Sequence, residues 1–427
     1  MIHFTRKQKF YLRKLISFTP LYKNIFNSIT FKLSPDEQQQ KLFEIVKYAI
    51  DNVPYYKCYS KFLTEDYKSF DITKLPLLQK EDIATRAEDM ISREYKISRL
   101  IKIGTGGTTG TSVNLYQNFK ESVVATAYVN YLYSLAGKNA IICTIREHDL
   151  KDDEPYSFFG NILMLAPNKI NIDTIEYYWD VIKKHNVTCI HAFPTSVLML
   201  CKLLMKKGLN TINSINCIIG SSEIFSDDKK TLAKECFSGV KIIDYYGQTE
   251  MVSSAIKEDF DEIKFIDSYG FTEFHKIDTT HDGNILAEII ATSFIRKSMP
   301  LIRYATGDYV EIDKNGRILH VIGRTSDFLI GRKGQVIPCI IENREKTMEN
   351  VLLVQYYQDT PGKFIYNMIV NEKYSDKDEK AIYEDMKVNF GDELIGTIKI
   401  VDHIEKTSRG KHRKLIQKLD VNYYLNK

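Results

Sequence analysis

No stretch of this chain reaches the ~20 uninterrupted apolar residues that a membrane-spanning helix requires. The best candidate, TCIHAFPTSVLMLCKLLM, is broken by His191, Pro194 and Lys202 and reads as strand, turn and helix. An excess of one charge is missing as well. The 59 basic residues face 55 acidic ones, and a net charge of +4 gives no long-range pull toward nucleic acid, while small anionic substrates remain compatible. The seven cysteines (Cys58, Cys143, Cys189, Cys201, Cys217, Cys236 and Cys339) are odd in number and never spaced Cys-x-x-Cys. That argues against a disulfide framework or zinc knuckle and for reduced thiols in the cytoplasm. The opening residues, MIHFTRKQKFYLRKLI, lack the apolar core and small-residue cleavage site of an export signal. As a basic amphipathic helix they either pack on the protein body or lie peripherally on a membrane. Internal repeats and low-complexity tracts are absent, and so is any serine-elbow or Cys/His signature of a side-chain nucleophile.

What is present suits two domains. With 427 residues and 44% hydrophobic content, the chain can bury a sizeable core. From Ser34 to about Met90 the pattern is helical, with KLFEIVKYAIDNV placing apolar residues three and four apart until Pro54 stops it. Residues 1–98 therefore read as a helical apron. From Asn139 to about Phe294 the apolar runs NAIICTI, VTCIHAF, INCIIGS and VKIIDYY alternate with the helix-like DTIEYYWDVIKKH, SVLMLCKLLMKKG and DDKKTLAKECF. Such alternation predicts a largely parallel, helix-covered sheet whose ligands bind beyond the strands' carboxyl ends, in the loops HAFPTS, GSSE and YGQTE. After Ile330 short strands and charged helices such as NEKYSDKDEKAIYEDMK predict a smaller α+β lid. The fold class is thus α/β, with an N-terminal domain over 1–325, its binding core at 99–325, and a mobile C-terminal lid over 326–427.

Five motifs carry chemistry. TGGTTGTS, Thr105 to Ser112, offers amides and hydroxyls that can wrap phosphate oxygens, although it lacks the lysine of a Walker loop and has Thr109 where a dinucleotide motif needs its third glycine. DYYGQTEM combines an aromatic, Tyr246, that can stack on a purine, Gly247 for close backbone approach, the Thr249 hydroxyl and the Glu250 carboxylate for magnesium. LIRYATGDYVEI supplies Asp308, able to accept both hydroxyls of a ribose, and HVIGRTSDFLIGRKG supplies Arg324. KTSRGKHRKLI places Lys411 after Gly410.

In that order the pieces resemble the adenylate-forming superfamily of acyl-CoA synthetases, peptide-synthetase adenylation domains and luciferases. The likeness spans nearly the whole chain. AIDNVPYYKCY followed by KLPLLQKEDI resembles the N-terminal signature of the phenylacetate:CoA ligase-like branch, which includes members from capsule and surface-polysaccharide clusters. The resemblance implies that Thr105, Gly106, Gly107, Thr108, Thr109, Gly110 and Thr111 form the phosphate loop, and that Ser222 and Glu223 lie beside adenine. It implies that Tyr246 stacks on adenine, Thr249 meets the α-phosphate, Glu250 holds magnesium, Asp308 binds the ribose and Arg324 supports the nucleotide. Lys411 would bridge the reacting carboxylate and α-phosphate. Tyr128, Tyr131, His191 and Phe193 fall where the acyl pocket is expected, suggesting a compact or aryl acid, though ordinary aromatic packing explains them equally. Three positions depart from the pattern: Thr111 replaces a common lysine, Ser326 stands at the usual acidic hinge beside Asp327, and GSSE has serine for the second glycine.

The implied substrates are ATP with Mg2+, a small carboxylic acid, and coenzyme A as acceptor. An amine acceptor in polysaccharide or natural-product biosynthesis, and a turnover-deficient nucleotide-binding module in a biosynthetic complex, are the alternatives.

Overall fold

The computed structural model describes residues 14–104, 113–146, 150, 154–209, 214–280, 283–324, 328–339, 350–405 and 413–425. The N-terminal helices start where the sequence offers caps. Helix α1 (Pro20–Asn27) begins at Thr19, whose hydroxyl accepts from the Tyr22 amide. Helix α2 (Pro35–Asn52) has a full Ser34/Glu37 capping box with proline in its first turn, and it ends before Pro54, which disfavours helical backbone at Val53. Beyond it the apron is 3-10 turns and one short helix, α3 (Lys80–Arg86), rather than long helices.

Its apolar stripe, Leu42, Ile45, Val46 and Ala49, packs on Met299, Leu301, Ile302 and Tyr304. Arg303 fastens this layer. Its Nη1 donates to the carbonyls of Thr73 and Leu75, while Nε and Nη2 reach both carboxylate oxygens of Glu273 at 3.1 and 2.8 Å.

Strands β1 (Ile101–Gly104) and β2 (Asn114–Gln117) form an antiparallel pair on either side of residues 105–112. Helix α4 (Phe119–Ser134) follows, capped by Asn118 and Glu121. The buried Glu121 also accepts the amides of Lys297 and Ser298, so the cap ties the helix to a distant loop.

The largest sheet contains β3 (Ile142–Ile145), β4 (Tyr156–Phe159), β5 (Ile162–Leu165), β6 (Cys189–Ala192), β7 (Cys217–Ser221), β8 (Lys241–Gly247), β9 (Ser254–Glu258) and β10 (Lys264–Phe265). Its order is β10-β9-β8-β7-β6-β3-β5-β4, with β8, β7, β6, β3 and β5 parallel and the remaining edge strands antiparallel. Helices α5 (Ile175–Lys184), α6 (Pro194–Lys206) and α7 (Asp227–Cys236) cover one face around Trp179, Val197, Leu200 and Ile242. Helix α4 covers the other through Val124, Tyr128 and Leu132.

The alternation of strand and helix stops at Gly247, not near Phe294. The chain from β11 (Gly270–Thr279) through β12 (Ile285–Ser293), β13 (Tyr304–Ile312) and β14 (Ile318–Arg324) is an antiparallel meander without helices. Apolar runs such as NILAEIIATS resemble buried parallel strands in composition, but the links between these strands, the longest over residues 294–303, are too short for a helical crossover.

A hairpin of β15 (Phe328–Ile330) and β16 (Val336–Pro338) leads into the C-terminal unit. There β17 (Val351–Thr360), β18 (Lys363–Val370), β19 (Ile395–Ile400) and β20 (Leu415–Gln417) form a sheet in the order β19-β18-β17-β20. Helix α8 (Asp376–Phe390) packs on it through Ile382, Met386 and Phe390, and α9 (Val421–Leu425) ends the described chain. The α/β class with a large N-terminal part and a smaller α+β C-terminal part is therefore what the chain adopts. Among the described residues no helix is long and apolar enough to cross a membrane.

Candidate functional site

Successive side chains of a strand point to opposite faces, so β8 addresses two compartments at its carboxyl end. Tyr246 turns to one side. Its phenol donates to Asp308 Oδ2 at 2.9 Å, and Gln248 Nε2 donates to the same oxygen at 2.7 Å and also to the Tyr246 phenol. Asp308 is buried, and a local turn aims it: Gly307 has φ of 67°, its amide donates to Glu288, and the Asp308 amide donates to the Thr306 hydroxyl. Arg324 is the register partner of Asp308 across β13 and β14; its side chain lies outside the described part. The Tyr246 ring meets Phe265 edge-on at 6.3 Å. Among the described residues Gln248 Oε1 is buried without a hydrogen-bond partner.

Asp244 sits two residues earlier on the same side. Burial pushes its carboxyl up to about 6, and Lys230 and Lys257 counter the shift. Lys230 is itself buried, 3.9 Å from Asp244 and 3.7 Å from Asp227, and burial lowers its pKa.

Tyr245 turns to the opposite side and joins a polar group built from alternate residues of three neighbouring strands. Thr144, His191 and Ser221 share this face, as the register Thr144–His191 and Ser221–Tyr245 requires. His191 Nδ1 pairs with the Tyr133 hydroxyl and Nε2 with the Ser221 hydroxyl, each at 3.0 Å, so both ring nitrogens are engaged. Tyr128 lies above, edge-on to Tyr269 with ring centres 4.7 Å apart, its phenol on Ser268 and pushed up to about 12 by burial. Tyr131 instead packs on Phe26 and Phe31, so the structure does not bring it to His191. At the rim, Phe193 lies under the Arg146 guanidinium, 5.3 Å from carbon to ring centre, and Arg146 Nη2 donates to Ser222 at 3.0 Å.

Ser222 is exposed with φ of 69°, a conformation a serine tolerates only where its neighbours enforce it. Glu223 Oε2 accepts the amide and hydroxyl of Thr195, while Oε1 is buried and unpartnered. Thr249 is exposed and Glu250 buried in the turn after β8. A Cβ on Gly247 would lie 2.6 Å from the Tyr245 hydroxyl, so the close approach at this glycine is made by the chain's own phenol. Thr105, Gly106, Gly107, Thr108, Thr109, Gly110, Thr111, Ser326 and Lys411 lie outside the described residues.

Gln248, Tyr133 and Arg146 escaped the sequence reading. Arg146 had a signal: it directly follows an apolar strand, as HAFPTS and GSSE do. Tyr133 had none in a tyrosine-rich helix. Among the described residues no cluster of three or more His, Cys, Asp or Glu forms a metal site by itself.

Comparison with known proteins bears on the fold. Residues 329–418 match the model of the CapK C-terminal domain. The chain is 24% identical over 406 residues to Protein CapK of Staphylococcus aureus, covering 90% of this chain and 89% of that one. Among solved structures it resembles 2-hydroxyisobutyryl-CoA ligase in the postadenylation state with 2-HIB-AMP, at a TM-score of 0.67 and 15% identity over 93% of each chain. It also resembles the anthranilate CoA ligase AuaEII with anthranoyl-AMP, at a TM-score of 0.52 and 16% identity over 75% of this chain and 67% of that one. The fold is that of the adenylate-forming ligases. The resemblance to that superfamily and to its capsule-cluster members is borne out at the level of the fold and of the similarity to CapK.

Proposed function

We propose that this chain, built on the fold of the adenylate-forming ligases, uses ATP to activate a small carboxylic acid as its acyl-adenylate and then transfers the acyl group to coenzyme A. The observation that carries the reading is the Tyr246–Gln248–Asp308 cluster at the carboxyl end of β8, with a separate cluster of polar side chains on the other face of the same strand. Two compartments meeting at one strand end suit a nucleotide and an acid that must react with each other.

An oxygen of the substrate carboxylate attacks the α-phosphorus of ATP, the bond from that phosphorus to the bridging oxygen breaks, and pyrophosphate leaves. Asp308 accepts the ribose hydroxyls, and Tyr246 lies along the base. Magnesium, when bound, neutralises charge on the phosphate oxygens; one carboxylate plus phosphates is an ordinary ligand set for it, and Glu250 fits that role. Thr249 donates to the α-phosphate, and Lys411 is assigned to the charge that develops between carboxylate and phosphate. In the second step the coenzyme A thiol, giving up its proton, attacks the acyl carbonyl and AMP departs.

The CoA-ligase names of the structural neighbours support coenzyme A as acceptor. The alternative acceptor is an amine, acylated during surface-polysaccharide or natural-product synthesis. Seven unbridged cysteines suit a cytoplasmic setting. Acid-dependent exchange of labelled pyrophosphate into ATP tests the first step, and product analysis with coenzyme A against candidate amines tests the second. No exchange across a broad acid panel refutes the reading.

A further inference from the structure

Among the described residues Arg146 is a cation beside the Tyr133–His191–Ser221 cluster without a carboxylate ion-pair partner. It continues the alternation of Ile142 and Thr144 one step past the end of β3, on the face shared by His191, Ser221 and Tyr245. Among the described residues its polar contact is the Ser222 hydroxyl and its packing contact the Phe193 ring; neither carries charge. Glu223 is the carboxylate that acts on it electrostatically, but it makes no ion pair with Arg146 among the described residues: its Oε2 accepts from Thr195, and its Oε1 has no hydrogen-bond partner. The guanidinium cannot shed its proton at any working pH, and desolvation disfavours its charge. An anion arriving from outside resolves both conditions.

ATP is a poor source of that anion. The nucleotide cluster of Tyr246 and Asp308 faces away from Tyr245 across β8, whereas Arg146 shares the side of Tyr245. The Phe193 ring lies 5.3 Å from the guanidinium carbon, and Nη2 donates to Ser222; a guanidinium carries five N–H donors, so others remain to grip a planar or tetrahedral anion with two parallel donors. The surrounding hydroxyls of Tyr133, Ser221 and Ser222 suit a polar acyl group and not a bare aryl or alkyl one.

We propose that Arg146 receives a second anionic group on the acid substrate, so that the chain selects short acids charged at both ends. The choice of which end reacts rests on the adenylation reading; the subsite itself does not. The shared chemistry is a distal carboxylate, phosphonate or sulfonate.

The test uses the full chain and acids matched in length. Pyrophosphate exchange is measured with four- to six-carbon α,ω-dicarboxylates, with their ω-phosphono and ω-sulfo analogues, and with the corresponding monocarboxylates. A charge-assisted contact should favour the doubly charged acids by about 10- to 100-fold in kcat/KM. In Arg146→Ala that ratio should fall toward one, and Arg146→Lys, which keeps the charge but loses the fork, should lie between. Whichever distal group shows the largest ratio identifies the anion. No preference in the native chain, or a ratio unchanged in Arg146→Ala, overturns the proposal. Calorimetric titration with the dicarboxylates separates the two readings. Binding that weakens in Arg146→Ala while no acid supports exchange upholds the subsite and refutes adenylation; dicarboxylate binding indifferent to Arg146 refutes the subsite.

Discussion

The phenol of Tyr246 donates a 2.9 Å hydrogen bond to Oδ2 of Asp308, joining the end of the parallel sheet to the antiparallel one across 62 residues of chain. Gln248 donates to the same oxygen, so the carboxylate that is assigned to the ribose is held by two donors before any nucleotide arrives. Holding a binding group in place beforehand reduces the ordering cost of binding.

Removing the phenol should therefore weaken ATP binding modestly. Tyr246→Phe deletes one neutral donor, worth about 1 kcal/mol, and should raise KM for ATP about fivefold. Asp308→Ala deletes the acceptor itself and should raise KM by ~30-fold or more. Initial rates of pyrophosphate exchange against ATP concentration measure both. Equal effects from the two variants would separate Tyr246 and Asp308 from a common site.

A second expectation concerns stability. Arg303 binds both oxygens of Glu273 and two apron carbonyls from a buried position, and its φ of 50° shows how firmly the surroundings impose its backbone. Arg303→Met leaves the Glu273 carboxylate with only its 3.4 Å contact to His275 Nε2 and should cost about 3–5 kcal/mol in denaturant unfolding. Adding Glu273→Gln should recover part of that loss, because the stranded charge is then gone.

The buried carboxyl of Asp244 gives a pH signature. Its folded value of about 6 lies above the ordinary 3.8, so the folded chain binds this proton more tightly than the unfolded chain. The contribution to stability is fully present below about pH 4, declines as pH rises, and is lost above about pH 6. At about 1.4 kcal/mol per pH unit the loss is bounded near ~3 kcal/mol, and the side chain's 24% exposure reduces it. Asp244→Asn removes the titration, so its stability relative to the native chain should rise between pH 4 and 6.5 in the absence of nucleotide. A flat difference across that window contradicts the assignment.

The parallel sheet was legible because β3, β6 and β7 are short apolar runs buried on both faces, each followed by a polar loop. The antiparallel meander was not, because its strands share that composition and differ only in connection length. At the site, Tyr246, Gly247, Glu250 and Asp308 were legible as motif positions, each chemically distinctive within a few residues. The Tyr246–Asp308 bond, the Tyr133–His191 pair and the Arg146–Ser222 contact were not, since each joins residues dozens of positions apart. Tyr131 shows the converse error: a tyrosine on the right helix, turned toward Phe26 and Phe31 instead of the pocket.

The most direct measurement of the central claim is acid-dependent exchange of labelled pyrophosphate into ATP by the full chain with magnesium. The acid panel should include doubly charged acids, and the same assay should be run on Glu250→Ala and Lys411→Ala. Exchange that requires an acid and falls at least ~100-fold in both variants, with unfolding midpoints preserved, is the expected result. Tight ATP binding with no exchange for any acid would contradict it and leave a nucleotide-binding module in its place.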